Sequence, residues 1–109
     1  MTDFLEAYRA WSEASFPTGS HREDLNDLHG DLHVVDEWIL STVYPFAEHG
    51  TIVPVRVDIE AGLRDLRSRL VDLRGTLSGD DASLADQYLA YADTLDAVFA
   101  AFRSATAAR

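Results

Sequence analysis

Apolar positions recur along this chain at helical spacing, and four segments carry them. Phe4, Tyr8, Trp11 and Ser15 share one face, with Leu5 beside them, which predicts a first helix from Thr2 or Asp3 to about Ser15. Phe16-Pro17-Thr18-Gly19 ends it, because a residue before proline is pushed out of the α region. Ser20-His21-Arg22-Glu23 then has the form of a capping box, with Ser20 and Glu23 exchanging hydrogen bonds at the start of a second helix. Leu25, Leu28, Leu32, Val35 and Ile39 make its apolar stripe. Pro45 should end or kink it near Val43, leaving one further turn from Phe46 to His49, closed at Gly50.

The segment Thr51–Asp58 reads as an extended connector, with a third helix starting near Val55. Ile59, Leu63, Leu66, Leu70, Leu73 and Leu77 step by 4, 3, 4, 3 and 4 residues, a heptad seam. Ser78-Gly79-Asp80-Asp81 is a turn. A fourth helix from about Asp81 to Ala105 carries a matching seam in Leu84, Tyr88, Tyr91, Leu95, Val98, Phe102 and Ala105. The short link makes helices 3 and 4 an antiparallel hairpin. The expected fold is all-α, an antiparallel four-helix bundle in a single domain of 109 residues.

Composition narrows the function. The chain has no cysteine, so thiol chemistry and cysteine-based zinc sites are excluded. It has no signal-type N-terminus and no apolar run near bilayer length, and a cytoplasmic protein is expected. The net charge is −10, and all nine cations are arginine. That balance argues against nucleic acid and an anionic membrane, and favours a basic protein partner through long-range attraction.

Ser20–Gly50 holds all four histidines and seven of the nineteen acids. Asp24, Asp27 and Asp31 line one flank of helix 2. Like charges at this spacing destabilise an isolated helix, and a partner that neutralises them would offset that. The alternative is internal pairing with the arginines of helix 3, with Arg56, Arg67 and Arg74 on one flank and Arg64 nearby. Trp38 lies about 90° off the apolar stripe. It either widens the core or serves as an anchor of the kind that dominates interfaces.

His29 and His33, one turn apart, could clasp a divalent metal with Glu37 a turn later. However, Gly30 stands where an HExxH motif needs its glutamate, and no second helix supplies a Glu-x-x-His motif. Boundary histidines paired with local carboxylates are the plainer reading. No nucleophile setting or phosphate loop is present.

The expected function is therefore a non-enzymatic acidic interaction protein that binds a basic partner through Asp24, Asp27, Asp31 and Trp38. An inhibitor or immunity-type protein is its concrete form, by likeness of size and charge rather than motif. The alternatives are a metal- or ligand-binding bundle using His29, His33 and Glu37, and a homodimer meeting through helix 4 aromatics or the Thr51–Asp58 segment.

Overall fold

The computed structural model describes residues 3–107. Four helices follow in order: α1 (Phe4–Glu13), α2 (Glu23–His49), α3 (Ile59–Arg74) and α4 (Gly79–Ala107). No strand occurs among the described residues. The contacts between helices are compatible with a bundle. α4 touches each of the other three, and α2 also packs on α3.

That central position explains why α4 buries more than one seam. Tyr88, Tyr91, Leu95, Val98 and Phe102 are buried as expected, while Leu84 and Ala105 are half-buried against the core. Ala85, Ala92, Phe99 and Ala101 are buried as well. A helix with three neighbours needs apolar or small residues around most of its circumference. On α3 the seam residues Ile59, Leu63, Leu66 and Leu70 are buried, as are Leu25, Leu28, Leu32, Val35 and Ile39 on α2.

Several boundaries differ from expectation, each for a local reason. On α1, Ala7 and Trp11 are the buried positions, while Leu5 is 62% exposed and Ser15 lies beyond the helix. Of the two expected caps, Thr2 lies outside the described residues, and Asp3 holds the cap position without a side-chain hydrogen bond.

α2 runs unbroken through Pro45 to His49. The proline removes one backbone hydrogen bond. Tertiary packing offsets that loss, because Phe46 is buried edge-on against Phe4 and Phe102. Gly50, at φ 66°, then closes the helix in the left-handed region, with its N–H donating to the Phe46 carbonyl at 2.9 Å.

α3 starts at Ile59 rather than Val55, because Asp58 caps it by accepting from the Ala61 N–H at 3.0 Å. It stops at Arg74, three residues short of Leu77. Gly75 and Thr76 form the turn, and Leu77 still packs against the core.

The expected capping box is also replaced. The Ser20 hydroxyl accepts from the Arg22 N–H at 3.0 Å, and the Ser20 N–H donates to Asn26 Oδ1 at 3.1 Å. A Cβ on Gly19 would come within 2.8 Å of that same Asn26 oxygen, so only glycine lets the chain pass there undisturbed.

Candidate functional site: the outer face of helix 2

Helical spacing sets Glu23, Asp27, Val34, Glu37, Ser41 and Tyr44 on the side of α2 turned away from its buried stripe. All are exposed. Val34 is 45% exposed, Tyr44 46% and the neighbouring Leu40 40%, high values for apolar side chains of this size. No cation offsets the acids: among the described residues, none of Glu23, Asp27 and Glu37 forms an ion pair. Gly30 leaves open space on this face. The surface is therefore acidic and apolar at once.

The three aspartates expected to act together have separate surroundings. Asp24 accepts from Arg22 at 2.7 Å and from the Leu25 N–H at 2.8 Å. Its carboxyl pKa is lowered, first by the Arg22 hydrogen bond. Asp31 pairs with Arg69 of α3 at 2.7 Å, and Arg69 also holds Asp65. Internal pairing between helices 2 and 3 thus occurs, but through Arg69 rather than the Arg56, Arg67 and Arg74 flank. Arg67 and Arg74 turn instead to α4, where they meet Asp93 and Asp96, and Asp86, respectively. Asp27 alone of the three is exposed and unpaired among the described residues.

Trp38 is half-buried and packed on the core. A Cβ on Gly62 of α3 would lie 3.0 Å from its ring, so the indole occupies the space that this glycine leaves. It is engaged between helices rather than standing free as an anchor.

The histidines do not gather with Glu37. His29 Nε2 donates to the Pro17 carbonyl at 2.9 Å, and Phe16 sits edge-on to both His29 and His33. No group of three histidine or acidic side chains that could hold a metal ion is present among the described residues. His29 instead straps down the α1–α2 connection, together with Tyr88, whose hydroxyl donates to the Thr18 carbonyl at 2.6 Å.

Scans against family models, curated proteins and solved structures found no match.

A polar cluster escaped the sequence reading altogether. Asp36 Oδ1 accepts from the Tyr91 hydroxyl at 2.7 Å and from the Trp11 indole N–H at 3.0 Å. Burial, then the hydrogen bond and charge of Asp36, raise the Tyr91 phenol well above its ordinary value. Tyr91 therefore keeps its proton at neutral pH. The trio ties α1, α2 and α4 together. Its members lie 25 and 55 residues apart, so no local spacing could have announced it.

The helix 4 aromatics Tyr88, Tyr91, Phe99 and Phe102 are buried inside the chain. In the Thr51–Asp58 segment, Ile52, Val55 and Val57 are exposed. No helix among the described residues is long and apolar enough to cross a membrane.

Proposed function

We propose that this protein is a non-enzymatic interaction protein that docks a basic partner on the outer face of α2. The observation that carries the reading is the pairing of unmatched acids (Glu23, Asp27 and Glu37) with exposed Val34, Leu40 and Tyr44 on one helix face. Acids steer a basic partner and fix its register, while desolvated apolar side chains supply most of the affinity. The net charge of −10 adds long-range attraction of the same sign. An inhibitor or immunity-type role is the concrete form.

The same reading takes α3 and α4 as an antiparallel hairpin. Support comes from the Glu60–Arg103, Arg67–Asp96 and Arg74–Asp86 pairs, whose α4 numbers fall as the α3 numbers rise.

The test is affinity capture at low salt, with wild type beside Asp27→Arg/Glu37→Arg. A basic protein held by the wild type, released by salt and lost by the variant is expected. Equal capture by both would refute the assignment to this face.

A further inference from the structure

A groove of about 620 Å³ lies between α3 and α4, within the size range of small-molecule sites. Leu63 and Phe99, both buried, and Ala100 supply the apolar part of a lining that is otherwise charged. Three of the nine arginines of this acidic chain, Arg64, Arg67 and Arg103, stand around it. A second basin of about 550 Å³ shares Glu60, Arg64, Phe99 and Arg103 with the first and continues over Val55 and Val57. The two make one trough, with Arg64 and Phe99 where they meet.

The three arginines differ in what already holds them. Arg67 lies between Asp93, at 2.5 Å, and Asp96. Arg103 pairs with Glu60, and its guanidinium carbon stands 6.0 Å from the centre of the Phe99 ring. Arg64 is exposed and forms no ion pair among the described residues. It is the trough's uncompensated cation. Glu60 and Asp96 line the first basin and Asp58 the second, and these acids disfavour a dianion more strongly than a monoanion. One carboxylate, by contrast, can engage the guanidinium fork with two parallel hydrogen bonds.

We propose that this trough binds an amphipathic monocarboxylate. Its carboxylate would sit on Arg64, and its apolar body along Phe99 and the exposed Val55 and Val57. The head is fixed by one charged pair and the tail by apolar burial, the usual division of labour in small-molecule sites.

Decanoate titrated into ¹⁵N-labelled protein tests this, with decanol and decyl phosphate as comparators. The expected result is saturable shifts at the amides of Leu63, Arg64, Ala100 and Arg103, with decanoate binding more tightly than either comparator. Arg64→Gln should weaken decanoate about ten-fold or more, while leaving the circular dichroism spectrum unchanged, because Arg64 is exposed and unpaired. Equal affinity in Arg64→Gln, decanol binding as tightly as decanoate, or shifts scattered over the surface without saturation would each overturn the proposal.

Discussion

The Tyr91 hydroxyl donates to Asp36 at 2.7 Å, joining α4 to α2 across 55 residues of sequence. Trp11 of α1 donates to the same carboxylate oxygen. Trp11 and Tyr91 are only 7% and 8% exposed, so water is a poor substitute for the shared acceptor. Asp36→Ala should therefore destabilise the fold by about 1–3 kcal/mol, because the buried Tyr91 hydroxyl loses its acceptor, while the Trp11 N–H keeps the Tyr91 oxygen at 3.2 Å. Tyr91→Phe removes the bond to the charged acceptor and the one the hydroxyl accepts from Trp11, and should lower stability by about 1–3 kcal/mol. Urea denaturation at neutral pH measures both.

The same pair gives the protein an alkaline limit. The Tyr91 phenol is raised in the folded state, by burial first and Asp36 second, above its unfolded value near 10. A raised folded value means the associated stability is fully present below about pH 10 and is lost as pH rises toward the folded pKa. Tyr88 is raised by burial in the same direction. Unfolding free energy should be flat in this respect from pH 7 to about 9 and then decline. The decline should be shallower in Tyr91→Phe, as read by urea titrations at a series of alkaline pH values. An identical decline in the variant would mean that other groups set the limit.

Two helical glycines should respond oppositely to substitution. A side chain at Gly30 meets nothing within 4 Å, so Gly30→Ala should stabilise by about 1 kcal/mol through helix propensity alone. It should do so provided no partner is bound there. At Gly62, even a Cβ presses on the Trp38 ring at 3.0 Å. Gly62→Val should destabilise by about 1–3 kcal/mol through overpacking and displace the indole outward. A red-shifted emission that disappears in Gly62→Val/Trp38→Phe would assign the shift to Trp38.

The strap between α1 and α2 can be released without touching the core stripe. His29 and Tyr88 hold the Pro17 and Thr18 carbonyls, and Phe16 packs between His29, His33 and Tyr91. His29→Ala should loosen this connection and speed tryptic cleavage at the exposed Arg22 several-fold, because proteolysis follows local opening. Cleavage at Arg9 should change less. Equal acceleration at both sites would indicate general destabilisation instead.

What could be read from the sequence followed from periodicity. Ile59, Leu63, Leu66 and Leu70 are buried because a regular apolar period requires one helix face to be covered, and that requirement is local. The continuation of α2 through Pro45 was not legible, because its compensation comes from Phe4 and Phe102, distant in the chain. The start of α2 was misread because Asn26 takes the Ser20 N–H that a capping box assigns to Glu23. The acidic stripe was visible as charge, but its division was not. Asp31 is engaged by Arg69 of α3, whereas Asp27, one turn earlier on the same flank, is exposed and forms no ion pair among the described residues. The acidic and apolar outer face emerged only once buried and exposed positions could be separated.

The absence of lysine from this chain makes one measurement especially direct. Any carbodiimide link from a carboxylate to a lysine must reach another molecule. Cross-linking the low-salt captured complex, followed by peptide mass spectrometry, therefore reads the docking face residue by residue. Links from partner lysines should concentrate on Glu23, Asp27 and Glu37. Links confined to the α4 acids Asp80, Asp86 and Asp93, or spread evenly over the surface, would contradict a partner seated on the outer face of α2.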